Sequence, residues 1–274
     1  MDWPRKVSIS THASSDQPLK QVVNRLIEEG WSGIEIMAEG LHKEVLDWSE
    51  KELEELKVLG LRHQIRWSIH APIAGCNLAA NGANAIQEVM ETVIHTLNIA
   101  EELGCTHVVL HPGEVALQEE ESPDDRQDAL QRVAAFLEVA LKATKSSEVK
   151  LALENVPPYP GLLGTDAEFL VQLVEQVNSP RVGLLYDCGH AHLCGQAQAI
   201  LERMLPYVVG LHLSDNQGVQ DDHVGLGLGN VPLLELMDIL KKEAYLGTVV
   251  IETGSLEGAY ASIRWMEEWQ DYIS

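Results

Sequence analysis

The sequence predicts a single (β/α)8 barrel, the TIM-barrel fold, from three observations. Eight short apolar runs alternate with longer amphipathic segments along the 274 residues. Runs such as VVL, LAL and VVI are apolar almost throughout, which is typical of parallel strands that are covered on both faces. The length also suits a barrel of about 250 residues. We therefore expect one TIM-barrel domain over residues 1–274.

The predicted elements follow one another in a regular order. The eight strands are predicted at Val7–Thr11, Gly33–Met37, Trp67–Ala71, His107–His111, Lys150–Asn155, Val182–Asp187, Val209–Ser214 and Thr248–Glu252. Six segments carry apolar residues at helical spacing. They are Gln17–Glu29, Ile86–Leu103, Asp128–Thr144, Ala167–Val177, Leu233–Lys242 and Gly258–Trp269. Two capping boxes are also predicted at helix starts, Ser49 with Glu52 and Thr165 with Glu168.

A doubly wound open sheet is the alternative architecture. Such a sheet typically carries a GxGxxG turn after its first strand, where the glycines let the backbone approach a pyrophosphate. The chain instead reads HASSDQP after Thr11. Its glycine-rich segment Gly225–Gly229 follows the seventh strand and has no P-loop lysine, so we expect a loop that is flexible or covers a ligand. The acidic stretch Glu119–Asp125 is expected to be a solvated loop.

Charge and composition restrict the partners. The net charge is −23, and the 19 basic residues are scattered rather than clustered. A field of this sign repels phosphate backbones and membrane surfaces, so nucleic acid is not the expected partner. The chain has no run of about 18 apolar residues that could span a membrane. Its start, MDWPRKVSIST, lacks the apolar region of a secretory signal. We expect a cytoplasmic protein with reduced cysteines; the sequence does not indicate its oligomeric state.

The ends of the strands carry the candidate chemistry. Six consecutive strands finish an apolar run with His, Asp or Glu, in WSIHAP, VVLHPG, LALENVP, YDCGHAHL, HLSDN and VVIETG. The C-terminal ends of all barrel strands open on one face, where active sites form. A single residue of this kind is usually a capping or packing residue, but six together indicate a site. The six converging residues are His70, His111, Glu154, Asp187, His212 and Glu252.

Such a cluster requires a compensating charge. Buried carboxylates that lie close together are costly unless they are protonated or paired with cations. A mixed set of imidazoles and carboxylates suits Zn²⁺ best, with Mn²⁺ or Fe²⁺ as alternatives, and suits Ca²⁺ or Mg²⁺ less well. A carboxylate such as that of Glu154 can bridge two ions about 3.5–4 Å apart. We expect one to three divalent ions per chain.

The motifs LALEN, YDCGHAH, HLSDN and DDHVGLGLG resemble those of the xylose isomerase-like barrel superfamily. This superfamily contains endonuclease IV, the family-2 AP endonucleases, and many sugar isomerases and epimerases. The resemblance spans essentially the whole chain. In members of the endonuclease IV type, nine ligands hold three zinc ions, and each ligand has a match here. The resemblance implies His70, His111 and Glu154 for the first ion, with Glu154 bridging to Asp187, His212 and Glu252 for the second, and His190, Asp221 and His223 for the third.

The resemblance implies two activities. In the sugar isomerases and epimerases, one metal is held by residues like Glu154, Asp187, His212 and Glu252, and two glutamates act as an acid/base pair. We expect a metal-dependent isomerase or epimerase of a small sugar or sugar derivative, working by proton transfer or by a hydride shift, with Glu154 and Glu252 as the catalytic residues. The alternative is a phosphodiester hydrolase of the endonuclease IV type with a trinuclear zinc centre. A third hypothesis is a metal-binding scaffold without activity.

The loops of the chain favour a sugar over duplex DNA as the substrate. The DNA-cleaving relatives insert loops rich in arginine and tyrosine into an abasic duplex. Here the loop after the first strand, HASSDQPLKQ, has one lysine and no arginine, and the loop after the third, APIAGCNLAANG, has no aromatic wedge. We therefore expect a small carbohydrate as the substrate. His12, Glu35 and Asn77 are weaker candidates for substrate contacts. The structural alternatives are capping or a turn for Asn77 and a brace of the barrel floor for Glu35.

Overall fold

The computed structural model describes residues 7–116 and 123–273. Its eight strands form one closed barrel in sequence order, all parallel, with the last strand paired to the first. This confirms the predicted single (β/α)8 barrel over the open sheet. The strands are β1 Val7–Ser10, β2 Gly33–Met37, β3 Arg66–His70, β4 His107–Leu110, β5 Lys150–Glu154, β6 Val182–Asp187, β7 Val208–Leu213 and β8 Thr248–Ile251.

Helices follow the strands on the outside of the barrel. Within the described residues the α-helices are α1 Leu19–Glu28, α2 Glu50–His63, α3 Ala83–Leu103, α4 Pro123–Ala143, α5 Ala167–Val177, α6 Cys188–Leu193, α7 Ala197–Met204, α8 Leu233–Lys242 and α9 Leu256–Ile273. Short 3-10 helices occupy Thr11–Ser14, Gly40–Asp47 and Leu205–Tyr207. All six predicted helical segments are present, and their bounds differ by up to five residues at an end. None of the described helices is long and apolar enough to cross a membrane.

The two predicted capping boxes have different outcomes. At α2 the box is confirmed, since Ser49 Oγ accepts the N–H of Glu52 and the Glu52 carboxylate accepts the N–H of Ser49. At α5 the predicted box is wrong. The capping residue is Asp166, whose carboxylate accepts the N–H of Phe169 at 3.0 Å. The N-cap oxygen must reach an amide two or three residues ahead, and Asp166 stands at that position for this helix.

Two further sequence expectations can be compared with the structure. Of the predicted acidic loop Glu119–Asp125, residues 119–122 lie outside the described residues. The described helix α4 begins at Pro123, so Asp125 is helical rather than part of a loop. The four cysteines, Cys76, Cys105, Cys188 and Cys194, are free thiols.

The strand register arranges the inward side chains in layers. Met37 on β2 pairs with His70 on β3, and Glu35 pairs with Ser68 two residues earlier. A strand rises about 3.3 Å per residue, so Glu35 lies about 6.6 Å along the strand below the level of His70. Side chains two residues apart point to the same face. Glu35 and Ser68 therefore form an inner layer beneath the polar strand ends.

The hydrophobic core has two parts. A large cluster fills the space between the barrel and its helices, and a small separate cluster contains Val109, Ala152 and Leu185. Ala152 precedes Glu154 by two residues, and Leu185 precedes Asp187 by two, so the small cluster fills the barrel lumen below those carboxylates. The carboxylates of Glu154 and Asp187 thus lie above apolar side chains, whereas the layer on the side of β2 and β3 contains Glu35 and Ser68.

Candidate metal centre

The nine predicted ligands are gathered at the C-terminal mouth of the barrel in three groups. In each group, one potential ligand atom from every residue lies within 4.8 Å of the others. The groups are His70, His111 and Glu154; Glu154, Asp187, His212 and Glu252; and His190, Asp221 and His223. These three sets coincide with the sets that the family resemblance implies.

Barrel topology explains how residues so distant in sequence meet. Strands β3, β5 and β6 end on His70, Glu154 and Asp187, while His212 lies one residue before the end of β7. The residues that follow β4 and β8 directly are His111 and Glu252. The third group comes from α6 and from the loop after β7. Parallel strands that end together on one face therefore bring the first two groups into contact.

Glu154 lies between the first two groups. Its Oε2 atom is 3.0 Å from His70 Nε2 and 3.0 Å from His111 Nε2. Its Oε1 atom is 3.0 Å from His212 Nδ1. One carboxylate thus faces the first group with one oxygen and the second group with the other, which is the arrangement of a bridging ligand.

His212 Nδ1 is the centre of the second group. The Glu252 Oε2 atom lies 3.0 Å from it, and the Asp187 Oδ2 atom lies 3.9 Å from it. In the third group, Asp221 Oδ2 lies 3.0 Å from His190 Nε2 and 3.1 Å from His223 Nε2. In both groups, carboxylate oxygens therefore lie close to the histidine ring nitrogens that face the mouth.

Three of the histidines are oriented by backbone carbonyls. In each, Nδ1 lies within 2.9 Å of a carbonyl oxygen, which can only accept, so Nδ1 carries the hydrogen and Nε2 is left for the mouth. Metal-ligating histidines are typically held this way, with the second nitrogen donating to a carbonyl or carboxylate. The three pairs are His70 with Ala71, His190 with Asn155, and His223 with Glu252.

A further observation indicates that the donor set fits divalent cations. Asp187 Oδ2, Asp221 Oδ1 and Glu252 Oε1 are buried and have no hydrogen-bond partner among the described residues. A buried carboxylate oxygen without a donor is costly, and cations are the usual remedy. A set that mixes imidazole with carboxylate thus fits a divalent transition-metal ion or Zn²⁺.

Burial and neighbouring charges set the protonation of the mouth. Burial raises the pKa of Asp187 to about 6. Burial would also raise the pKa of Glu252, but His212 and His223 outweigh it and lower that pKa to about 2. Burial would lower the pKa of His223, but Asp221 and Glu252 outweigh it and raise that pKa to about 9. Without metal, the protonated ring of His223 therefore lies beside the ionised carboxylate of Glu252, with His223 Nδ1 4.0 Å from Glu252 Oε2.

The three weaker candidates occupy different positions. The His12 ring stacks on that of His223 at the rim, with ring centroids 5.0 Å apart. Asn77 Oδ1 accepts the N–H groups of Ala79 and Glu114, and its Nδ2 donates to the Glu114 carbonyl. The bond from Ala79 is the local contact of a turn, and the two contacts with Glu114 join the loops after β3 and β4. A substrate contact by His12 or Asn77 stays a prediction.

Glu35 lies beneath the ligands, in the inner layer. Its side chain is fully buried, and its Oε2 accepts the hydroxyl of Ser68 at 2.8 Å. Its Oε1 lies 2.8 Å from His212 Nε2, although the two atoms are too poorly aligned for a regular hydrogen bond. Glu35 thus meets the nitrogen of His212 that faces away from the other carboxylates.

The loop after β7 is anchored by Asp215, which sequence reasoning missed. Asp215 Oδ1 accepts the N–H groups of Asn216 and Val231, and Oδ2 accepts that of Gly227. Leu226, inside the glycine-rich segment, is 2% exposed. The segment is therefore tied to the barrel rather than loose. The available signal was the motif HLSDN, in which a second acidic residue follows the strand.

Asn155 is a second missed residue. Its side chain accepts the N–H of Asp187 and donates to the Asp187 carbonyl, and its own carbonyl orients His190. Asn155 is 1% exposed. It therefore fixes the end of β6 against the end of β5, which places ligands of two groups. Its signal was its position directly after Glu154 in LALEN.

Known proteins share this architecture. The family of xylose isomerase-like TIM barrels matches residues 23–269. The chain is similar to a D-tagatose 3-epimerase-like protein, with 26% identity, a TM-score of 0.87 and 98% of both chains covered. It also resembles D-psicose 3-epimerase from Clostridium cellulolyticum H10 in complex with D-tagatose, with 17% identity, a TM-score of 0.76 and 97% of both chains covered. An IolI protein with a bound zinc atom gives 20% identity and a TM-score of 0.79, covering 97% of this chain and 96% of the other. The last two likenesses show the fold alone.

Proposed function

The chain belongs to the family of xylose isomerase-like TIM barrels, and on that basis we propose that it is a metal-dependent isomerase or epimerase of a small sugar or sugar derivative. The observation that carries the proposal is the pair Glu154 and Glu252. One oxygen of each lies 3.0 Å from the same atom, His212 Nδ1. Two carboxylates beside one metal-binding position are what proton transfer at a sugar carbon requires.

The similar structures support this substrate class. They include sugar epimerases, two of which are named for the ketohexoses D-tagatose and D-psicose. The absence of a basic cluster in the sequence favours an uncharged substrate over a nucleic acid. Free ketohexoses are therefore the first substrates to test.

The second group would hold the ion that takes part in the reaction. Its residues are Glu154, Asp187, His212 and Glu252. A divalent ion there supplies Lewis-acid polarisation of the substrate carbonyl, which acidifies the neighbouring C–H. These four residues would hold the ion, and the two glutamates among them would also exchange protons with the substrate.

The two glutamates then move the proton. One carboxylate removes the proton from the carbon beside the carbonyl, which leaves an enediolate. The other glutamate passes a proton taken from water to the opposite face of that carbon and inverts it. The low pKa of Glu252, about 2, keeps its carboxylate ionised, which is the form that can accept a proton. Exchange with water resets both groups.

The experiment is turnover in D2O. The chain, loaded with Zn²⁺ or Mn²⁺, is incubated with D-tagatose, D-psicose, D-fructose and related aldoses, and the products are analysed by NMR. Proton transfer predicts a new sugar with deuterium at the reacting carbon. A hydride shift between neighbouring carbons moves the carbonyl and predicts an isomer without deuterium. No conversion of any sugar by the metal-loaded chain would contradict the proposal.

Two substitutions test whether the activity depends on the residues at the barrel mouth. Glu154→Gln and Glu252→Gln each keep the shape of the side chain but cannot accept a proton, so we expect turnover to fall by at least about 10²–10⁴-fold. Glu235→Gln is the control, since Glu235 is exposed at the start of α8. Equal losses in all three variants would point to damage of the fold instead.

A second candidate function is hydrolysis of a phosphodiester. The observation that favours it is the third group, His190, Asp221 and His223, which an isomerase that uses one ion does not need. Three adjacent metal-binding groups are the set implied for an endonuclease IV-like centre. The net charge of −23 counts against a DNA duplex.

Two measurements separate the candidates. Zinc bound per chain, counted by elemental analysis, distinguishes one ion from three. Cleavage of an abasic-site duplex and of a small phosphodiester is then assayed beside the sugar panel. Nicking that disappears in Glu154→Gln, with no sugar converted, would replace the isomerase by the hydrolase. Sugar conversion without nicking would exclude the hydrolase.

A further inference from the structure

A buried polar cluster inside the barrel includes the candidate ligand His212 and three residues beneath the ligands. Its members come from β2, β3, β4 and β7, and each is at most 2% exposed: Glu35, Ser68, His107 and His212. No lysine or arginine belongs to the group. A fully buried carboxylate without a lysine or arginine partner is costly to fold around. Because Glu35 lies under the candidate ligand His212, we expect Glu35 to have a role in the site.

The His212 ring spans the two layers. Its Nδ1 faces Glu154 and Glu252 in the mouth, each at 3.0 Å. Its Nε2 faces Glu35 in the lumen, at 2.8 Å. A histidine that binds metal uses one nitrogen as the ligand and carries a hydrogen on the other. For His212, the nitrogen left to carry that hydrogen is Nε2, which lies 2.8 Å from Glu35 Oε1.

His212 differs in this respect from the other oriented histidines. His70, His190 and His223 turn their second nitrogen to a neutral backbone carbonyl. His212 turns it to a carboxylate. A charged acceptor holds the N–H more strongly than a neutral one and makes the opposite nitrogen a better donor to a metal. Among these histidines, His212 is therefore placed to be the most basic ligand.

The carboxylate itself is held in position from the side. The Ser68 hydroxyl donates to Glu35 Oε2 at 2.8 Å, which leaves Oε1 for His212. His107 Nε2 lies 3.7 Å from Oε2 and adds a polar neighbour. The register that pairs Glu35 with Ser68 fixes this contact by strand geometry. Neither oxygen is turned towards the mouth.

From this geometry we propose that Glu35 is a positioning residue for the metal centre rather than a substrate contact. It holds His212 with Nε2 protonated and Nδ1 directed at the ion of the second group, and it strengthens that bond. The proposal rests on the proposed function only in requiring that the second group binds a metal.

The test is zinc binding without substrate. Metal-depleted wild type and Glu35→Gln are titrated with Zn²⁺ against a chelator of known affinity. We expect one zinc affinity to fall about 10–100-fold, the usual effect of losing such a partner, while the other sites change less than about twofold. The matched control is Glu44→Gln, since Glu44 accepts the N–H of Leu19 on the outside of the barrel. Its zinc affinities should equal those of wild type.

Three results would overturn the proposal. One is wild-type affinity at every site in Glu35→Gln. Another is an equal loss at all sites together with a lower melting temperature, which would make Glu35 a purely structural residue. The third is the absence of zinc binding in wild type, and only this result also contradicts the proposed function.

A measurement on the wild type covers the case that Glu35→Gln does not fold. Long-range ¹H–¹⁵N NMR of the zinc-loaded protein reports which nitrogen of each histidine is protonated. We expect His212 to carry its hydrogen on Nε2 and to bind zinc through Nδ1. The opposite assignment, with Nε2 bound to zinc, would refute the role of Glu35. In Ser68→Ala, which frees Oε2 only, we expect a smaller loss of zinc affinity than in Glu35→Gln.

Discussion

Replacing Asp215 with alanine should release the loop that carries the third group of ligands. Asp215 is 1% exposed and accepts three backbone N–H groups, those of Asn216, Gly227 and Val231. These bonds tie the segment from 216 to 231 to the end of β7. Asp221 and His223 lie within it, so the anchor and the third group depend on one another.

The size of the expected loss of unfolding free energy depends on which backbone amides stay buried. Asn216 is 0% exposed and Val231 is 7% exposed, so water does not replace their lost acceptor. Gly227 is exposed, and its N–H can be hydrated. A hydrogen bond to a charged group contributes about 1.5–3 kcal/mol. Two such bonds give a loss of about 3–6 kcal/mol, a large part of a typical unfolding free energy of about 5–15 kcal/mol.

The assay combines urea unfolding of the metal-free protein with zinc counting. For Asp215→Ala we expect the free energy of unfolding to fall by the stated amount. Backbone amide exchange at Val231 should become faster, and one zinc ion should be lost per chain. Asp222→Ala is the control, because Asp222 lies in the same loop and its carboxylate accepts only a side-chain N–H of Gln220 among the described contacts. We expect it to stay within about 0.5 kcal/mol of wild type.

One outcome would contradict the anchoring role of Asp215. If Asp215→Ala unfolds at the same urea concentration as Asp222→Ala, the three hydrogen bonds do not anchor the loop. Unchanged zinc content with reduced stability would show instead that the third group assembles without the anchor.

Three other predictions concern protons, packing and a buried hydroxyl. Zinc affinity should rise steeply from pH 6 to pH 9, because the pKa of His223 is raised to about 9 and its proton must leave before metal binds. Calorimetry in two buffers should detect the released protons. Equal zinc affinities at pH 6 and pH 9 would contradict this prediction. In Gly183→Ala, the new Cβ would lie 2.6 Å from Val209 Cγ1, so we expect a loss of about 1–3 kcal/mol in urea unfolding, and wild-type stability would disprove the contact. In Tyr186→Phe, the buried hydroxyl that donates to the Ala197 carbonyl at 2.8 Å is removed, which should cost about 1–2 kcal/mol with zinc binding unchanged.

The barrel could be predicted from sequence because its signals are local and repeated. Each strand is an apolar run that ends at a polar residue, and eight such runs restrict the topology. The predicted strand ends were nevertheless often one residue too long, as at Thr11, Asn155 and Ser214. At these positions the chain leaves the ladder to form the mouth, and the apolar pattern does not record that departure. The wrong cap at Thr165 has a similar origin, since the next residue, Asp166, is also a capping residue.

The site could be predicted only in part. Six ligand candidates followed from strand ends, because barrel closure fixes where strand ends meet. The third group came from family resemblance alone, since Asp221 and His223 lie in a loop. Glu35 was expected to touch substrate or brace the floor, and only the register shows that it lies beneath His212. Contacts of this kind depend on which side chains face one another across strands, which a linear sequence does not specify.

The position of Glu154 has a consequence for how the sites fill. Its two oxygens face different groups, with His70 and His111 on one side and His212 on the other. Two ions held by these groups would share one ligand, so their affinities cannot be independent. By thermodynamic linkage, whatever the first ion does to the affinity of the second, the second does equally to the first. Adaptation of the chain to a different metal in one group would therefore change the neighbouring group as well, and binding curves should show interaction between the sites rather than a sum of separate isotherms.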